Sequence, residues 1–291
     1  MNAPNIKFVF FGTPNFAVSF LSELEKKGPR PSLVVTMPDR PKGRKMIPTP
    51  PPVKTWAEER GIPVLQPEKL DSEFIYKLRT TNYRLFLVAA YGKIMPKEII
   101  DIPKHGSINI HPSLLPRLRG ASPIESLILN NEKPAGVSIM LMNEKMDEGP
   151  ILAQEKLAIA KWPSAPELSN TLARLGARLF VKISPDWISG DLKPEEQDHS
   201  KATYCRKIRK EDGLIDPLGD SEENWRKFLA YQPWPGIYFF HGKMRVKITA
   251  AELLNTECLT SRFVIKKVIP EGRKEISYED FKHGVGRNSK F

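Results

Sequence analysis

Long apolar runs are missing from this 291-residue chain: none approaches the roughly 20 residues that span a bilayer. Met1 to Phe11 also lacks the basic segment, apolar stretch and cleavage site of a secretion signal, so a cytoplasmic protein is expected. Cysteine is scarce. Only Cys205 and Cys258 occur, far apart and without metal-ligand spacing, which argues against a disulfide scaffold and a zinc site and fits a reducing compartment. Both read as structural or incidental thiols, and no metal is expected. Walker A, GxGxxG and HExxH patterns are absent, which removes the common phosphate-loop, dinucleotide and zinc-protease classes. Acidic residues are outnumbered, 34 against 45 Lys and Arg, for a net charge of +11. That balance suits an acidic partner, nucleic acid foremost, although a soluble basic protein would show it too.

Hydrophobic residues make up 40% of the chain, enough for two cores, and the length suggests two domains. The most informative stretch is Ser107 to Gly120. Ser107 to His111 alternates polar and apolar, so a strand here places Ile108 and Ile110 on one face and Asn109 and His111 on the other. Pro112 cannot donate to a ladder, so the strand should end at His111 and deliver both polar groups to its carboxyl end, where open α/β sheets bind ligands. Asn109 and His111 also have a plainer account as strand-end polar groups satisfied by backbone. Downstream, Met146-Asp147-Glu148-Gly149-Pro150 puts an acid in a turn between two strand-like runs. An amide, an imidazole and a carboxylate form a set suited to acyl transfer without a covalent intermediate.

In chain order, Ile6 to Phe11 reads as a strand, Gly12-Thr13-Pro14 as a turn, and Asn15 as the cap of a helix carrying Phe16, Phe20, Leu21 and Leu24. Ser32 to Met37 is a second strand, which completes the unit that builds a parallel sheet. Prolines then cluster from Pro38 to Val53 and exclude helix and central strand, leaving a long loop with Arg40, Lys42, Arg44 and Lys45. Such a loop is either a solvated basic segment or a grip on a polyanion. Short helices are expected over Val53 to Arg60 and Ser72 to Leu78, with a brief strand at Pro63 to Gln66. Leu85 to Ala90 is continuously apolar, as a strand covered on both faces should be. Gly92 after it allows close approach of a flat ligand or serves as a turn glycine.

Further along, Ser122-Pro123 opens a helix, and Gly136 to Met142 and Ile151 to Ile159 are strands flanking the Asp147 turn. Ser164 to Glu167 is a capping box for a helix reaching about Trp187, its leucines in the core. Charged, polar residues from Ser189 to Lys201 mark a linker. The expected division is 1–189, a linker over 190–206, and 207–291. The last part carries short strand candidates, Gly236 to His241, Lys243 to Ala250, Ser261 to Val268 and Ile276 to Phe281, as in a small all-β barrel or sandwich. Lys243, Arg245 and Lys247 alternate with Met244, Val246 and Ile248, giving either a solvated edge strand or an extension of the polyanion surface.

Several of these stretches resemble the bacterial methionyl-tRNA formyltransferases over nearly the whole chain. They are Phe11-Gly12-Thr13-Pro14-Asn15-Phe16, the basic Pro38 to Lys54 loop, Ala89 to Pro96, Asn109 to Pro116, Met146 to Leu152, Lys210 to Asp216 and Pro235 to Phe239. The Asn109, His111 and Asp147 set looks like the core shared by formyltransferases that use 10-formyltetrahydrofolate. The basic loop and the C-terminal part are what point to tRNA. The resemblance implies an α/β class, with a Rossmann-like, mostly parallel sheet domain followed by a small OB-like barrel.

The resemblance further implies that the folate lies along Phe86, Leu87, Val88, Ala89, Ala90, Tyr91 and Gly92, beside Ser113, Leu114, Leu115 and Pro116, held largely by backbone. Phe16 would border the methionyl pocket. Arg40, Lys42, Arg44 and Lys45, with Lys243, Arg245 and Lys247, would bind the acceptor end of methionyl-initiator tRNA. Two departures stand out: Lys45 follows Arg44 where family members commonly have glycine, and Pro217-Leu218-Gly219 stands where tryptophan is frequent. The expected reaction is direct attack of the methionyl α-amine on the formyl carbon, by a protein acting as a monomer. An amino-sugar formyltransferase, a formyltetrahydrofolate hydrolase and a catalytically silent RNA-binding module are the rival readings.

Overall fold

The computed structural model describes residues 7–43, 46–255 and 261–287. The apolar run Phe8–Gly12 forms β1, buried along its whole length, and the chain turns at Thr13 and Pro14 into helix α1 (Asn15–Glu25). Pro14, not Asn15, occupies the cap, and its carbonyl accepts from the N–H groups of Ala17 and Val18 at 3.0 and 3.3 Å. Asn15 already lies in the helix. Strand β2 (Leu33–Val35) follows, then β3 (Arg40–Lys42), β4 (Ile47–Thr49), α2 (Pro52–Glu58), β5 (Val64–Leu65), α3 (Ser72–Arg79), β6 (Leu85–Ala89), α4 (Lys97–Ile100) and β7 (Ser107–His111).

The proline-rich segment was expected to hold no regular structure, yet β3 and β4 pair antiparallel in register Arg40↔Thr49, Pro41↔Pro48 and Lys42↔Ile47. A two-stranded ribbon tolerates this because Pro41 and Pro48 face each other, so both missing N–H groups fall at the same rung. Arg44 and Lys45 lie outside the described residues, as does the side chain of Lys42.

After β8 (Arg119–Gly120) and α5 (Pro123–Leu129), strands β9 (Ala135–Leu141) and β10 (Ile151–Leu157) complete a seven-stranded sheet of order β10-β9-β7-β6-β1-β2-β5. Strands β7, β6, β1, β2 and β5 are parallel, whereas β9 runs antiparallel to β7 and β10 antiparallel to β9. The chain leaves β1 toward β2 and β5, then returns to β6 on β1's other side. The switch point, where the carboxyl ends of neighbouring strands splay into a crevice, is therefore between β1 and β6. One face of the sheet packs Val9, Phe11, Phe86 and Val88 against Phe74, Leu78 and Ile99 of α3 and α4. On β1's other side, the Phe10 ring stacks 5.9 Å from Phe20 of α1.

Helix α6 (Ala165–Ser189) begins at its capping box, where Ser164 donates from both N–H and Oγ to Glu167 Oε2 at 2.8 and 2.7 Å. Most of the linker expected over 190–206 belongs to the first compact unit. The first compact unit runs to Cys205, Gln197 is buried, and β11 (Tyr204–Cys205) pairs parallel with β8. Side-chain polarity misled here because Gln197 and Thr203 spend theirs on backbone groups of the first unit, at Asp147, Gly149 and Leu118.

The second compact unit comprises residues from Arg206 onward together with 124–133 and 159–168. It holds α7 (Ser221–Ala230) and a four-stranded antiparallel sheet, β12 (Ile237–His241), β13 (Met244–Asn255), β14 (Ser261–Pro270) and β15 (Ile276–Ser277), followed by α8 (Tyr278–Arg287). Bulges in β13 at Ile248, Ala250 and Ala251 let this long strand coil. The expected closing strand over 276–281 stops at Ser277, whose Oγ accepts from the Asp280 N–H at 3.0 Å and donates to its carboxylate at 2.7 Å. A serine N-cap with an acid three residues on starts a helix there. No helix among the described residues is long and apolar enough to cross a membrane.

Candidate active site

Strand β7 carries Asn109 and His111 to its carboxyl end as the alternation predicts, with Ile108 and Ile110 buried on the opposite face. Asn109 sits between Val88 of β6 and Met140 of β9, and His111 beside Ser138. The β9–β10 loop brings in Asp147. Asn109 Nδ2 donates to Asp147 Oδ1 at 3.4 Å, and the same oxygen stands 3.7 Å from His111 Nδ1. The three side chains predicted from separate parts of the chain therefore converge.

The ring of His111 is oriented by a group that sequence reasoning missed. Its Nε2 lies 2.9 Å from the carbonyl of Leu118, which can only accept, so Nε2 carries hydrogen and a neutral ring keeps its lone pair on Nδ1, toward Asp147. At 3.7 Å, Asp147 Oδ1 is too far from Nδ1 for a hydrogen bond, so the Leu118 carbonyl is what orients the ring. Asp147 faces Nδ1 across that gap without bonding to it.

Asp147 itself is held in a left-handed conformation, φ +56°, which a non-glycine residue adopts at a cost. Several bonds over-determine it. Oδ2 accepts from the Gly120 N–H at 2.8 Å, and Gln197 Nε2 donates to the carbonyls of Asp147 and Gly149 at 2.9 and 2.7 Å. Gly149 closes the base of the loop, where a Cβ would fall 1.9 Å from the Leu141 carbonyl oxygen. At Gly120, φ is +118° and a Cβ would come within 2.3 Å of the Cys205 carbonyl oxygen.

Behind this loop lies Arg119, 1% exposed. Its guanidinium donates to Gln197 Oε1 through Nε at 3.2 Å and Nη2 at 2.7 Å. Nη2 also approaches His199 Nδ1 at 3.0 Å, while Nη1 meets Tyr204 Oη and Glu148 Oε1, both at 3.4 Å. Neither Arg119 nor Gln197 stood out in the sequence, since an arginine before glycine and a glutamine in a polar run carry no pattern of their own.

The expected folate residues divide sharply. Phe86, Leu87, Val88 and Ala89 are buried in β6, so only their backbone could serve a ligand, whereas Ala90 at φ +51° and Gly92 at φ +95° are exposed at the strand end. Tyr91 turns inward onto Phe11, its hydroxyl buried without a partner and pushed up to about 12 by burial. Thr13 Oγ1 donates to the Tyr91 carbonyl at 2.7 Å and ties the ends of β1 and β6. Ser113 and Leu115 are buried in a brace in which Ser138 Oγ donates to the Ser113 carbonyl at 2.6 Å and accepts from the Leu115 N–H at 2.9 Å. Leu114 and Pro116 remain half-buried.

Phe16 is 5% exposed, packed at the start of α1. Arg40 is exposed, 3.8 Å from Glu68. In the second unit Val246 and Ile248 are buried, while Lys243 is exposed and Arg245 and Lys247 half-buried along β13. Strand β13 lies between β12 and β14 and so is not an edge. Arg245 covers the Tyr238 ring at 3.9 Å. No group of three or more His, Cys, Asp or Glu among the described residues is arranged to hold a metal ion.

Comparison with known proteins gives this geometry its context. Residues 5–183 match the formyl transferase family and residues 207–259 the formyl transferase C-terminal domain. Methionyl-tRNA formyltransferase from Bacillus velezensis is 40% identical, covering 96% of this chain and 94% of that protein. The Myxococcus xanthus methionyl-tRNA formyltransferase is 37% identical over 98% of this chain and 96% of its own length. Among solved structures, methionyl-tRNA formyltransferase from Clostridium thermocellum superposes with a TM-score of 0.60 at 17% identity, covering 94% of this chain and 99% of that one. The Helicobacter canadensis N-formyltransferase, in complex with folinic acid and dTDP-3-aminofucose, gives 0.63 at 22% identity over 86% and 89%. At those identities the structures establish the fold, and the longer sequence matches establish the lineage: this chain belongs to the methionyl-tRNA formyltransferase family.

Proposed function

We propose that the protein transfers the formyl group of 10-formyltetrahydrofolate to the α-amino group of methionyl-initiator tRNA. The observation that carries this reading is the convergence of Asn109, His111 and Asp147 at the carboxyl end of β7, in a chain of this family. The amine, neutral when it reacts, attacks the formyl carbon, and negative charge builds on the formyl oxygen. One hydrogen of Asn109 Nδ2 is turned to Asp147, and the other is free for that oxygen. His111, with its Nδ1 lone pair toward the site, takes a proton from the attacking amine and returns it to N10 as the bond to the formyl carbon breaks. Asp147 stabilises the imidazolium between those transfers. No residue forms a covalent intermediate in this scheme.

The donor is read as lying on the exposed backbone of Ala90 and Gly92 at the β1/β6 switch point, where the positive φ values leave an edge without bulky side chains. Phe86, Leu87, Val88, Ala89 and Tyr91 would form the floor beneath it, and Leu114 and Pro116 its side. Phe16 would act from within the core as support for the methionyl pocket. Arg40, Lys42, Arg44 and Lys45, with Lys243, Arg245 and Lys247, would contact tRNA phosphates, consistent with a net charge of +11. The protein would act as a monomer in the cytoplasm.

Formyl transfer measured side by side on charged initiator tRNA, charged elongator tRNA and a small amine tests the assignment. Rapid transfer to the initiator alone is expected. Equal rates on the small amine, or formate release without an acceptor, would overturn it.

A further inference from the structure

The segment Leu118-Arg119-Gly120 touches both reactive groups from behind. Leu118 receives the hydrogen of His111 Nε2 at 2.9 Å, and Gly120 gives its N–H to Asp147 Oδ2 at 2.8 Å. Between them, the buried Arg119 holds Gln197 Oε1 with two donors, which fixes the direction of the carboxamide. With its oxygen so committed, Gln197 must aim its amide hydrogens the other way, and they reach the carbonyls of Asp147 and Gly149 at 2.9 and 2.7 Å. The first of those carbonyls belongs to the residue that stands at φ +56°, and the second lies two residues on in the same loop.

We propose that Gln197, oriented by Arg119, is a positioning residue that holds Asp147 in its left-handed conformation, so that the carboxylate stays between Asn109 and His111. This rests on the reading of Asp147 as part of the reactive set. An ordinary buried glutamine would be content with any two acceptors. What singles out Gln197 is that both donors go to backbone of one strained loop, while its acceptor is saturated by a guanidinium that is itself 1% exposed. Relaxation of Asp147 toward φ < 0 would swing its side chain away from β7.

Gln197→Glu separates this role from simple packing. The carboxylate still accepts from Arg119, so the buried cation keeps its partner, but it offers no hydrogen to the two carbonyls and repels them. The expected result is a fall in kcat on the order of 10²-fold, the scale of about 1 Å of misplacement, with KM for both substrates within about threefold. Combining it with Asp147→Asn should cost no more than Asp147→Asn alone, because both act through one carboxylate.

Wild-type kcat in Gln197→Glu while Asp147→Asn is impaired overturns the positioning role and leaves the reading of Asp147 intact. Wild-type kcat in Asp147→Asn removes that reading and the proposal with it. Losses that multiply in the double variant, or a change in KM alone, assign Gln197 to another task and also overturn the proposal. Should Gln197→Glu melt well below the wild type, Gln197→Ala, which leaves room for water beside Arg119, is read by the same criteria.

Discussion

Asn109 and Asp147, 38 residues apart in sequence, meet with Nδ2 at 3.4 Å from Oδ1. The contact fixes which way round the amide sits, since the hydrogen-bearing nitrogen and not the oxygen must face the carboxylate. The amide hydrogens on which the proposed reaction relies are thereby aimed before any substrate binds. Asn109→Ala is expected to lose turnover on the order of 10²-fold or more, the usual cost of one such donor. A single-turnover rate near that of the wild type, in a variant with an unchanged melting temperature, would remove Asn109 from the mechanism.

Gly120→Ala should damage stability and turnover together. Its φ of +118° disfavours any side chain, and the added Cβ would lie 2.3 Å from the Cys205 carbonyl oxygen, across the β8–β11 ladder. A loss of about 2 kcal/mol or more is expected from strain of this kind. Denaturant titration and kcat, measured on the same preparation, would show whether the two effects travel together.

Asp212→Asn gives a pH-dependent test in the second unit. The Arg206 guanidinium, bonded to the Asp212 carboxylate at 2.8 and 2.6 Å, holds that carboxyl below the usual range, and the Arg209 N–H adds a third bond at 2.7 Å. A depressed folded value means that the ionised form stabilises the fold. The contribution is complete above the unfolded value of about 3.9 and is lost as pH falls through the lower folded value. At pH 7 the variant should be less stable by about 1 kcal/mol, since Arg206 is largely exposed and solvent screens the pair. The gap between the two proteins should close in acid, and a gap that is constant with pH would refute the assignment.

Arg44→Ala, beyond the described part of the β3–β4 hairpin, and Arg40→Ala within it should raise KM for charged tRNA and leave KM for the folate unchanged. Phosphate contacts release counterions, so apparent tRNA affinity should also fall steeply between about 50 and 200 mM salt, and less steeply in either variant. A salt-independent KM would take phosphate recognition out of the account.

Much of the fold was legible because both faces of the main sheet are buried. The unbroken apolar runs at Phe8–Gly12 and Leu85–Ala89 and the alternation over Ser107–His111 mark strands directly. The convergence of Asn109, His111 and Asp147 was legible too, since two of the three share one strand face and the third sits in a turn between strands. What could not be read were groups whose role depends on backbone acceptors. The Leu118 carbonyl has no sequence signature, and Gln197 acts on the carbonyls of Asp147 and Gly149, 50 and 48 residues away. The hairpin through Pro41 and Pro48 escaped notice because proline rules describe central strands, and a ribbon consists only of edges.

Strand β11 is only two residues long, yet its place beside β8 decides where a shortened enzyme can be cut. A fragment ending at Ser189 would retain every strand of the seven-stranded sheet but leave behind β11 and Gln197, the buckle that cinches the Asp147 loop. On the proposed assignment, the shortest fragment that keeps this loop braced extends through Cys205.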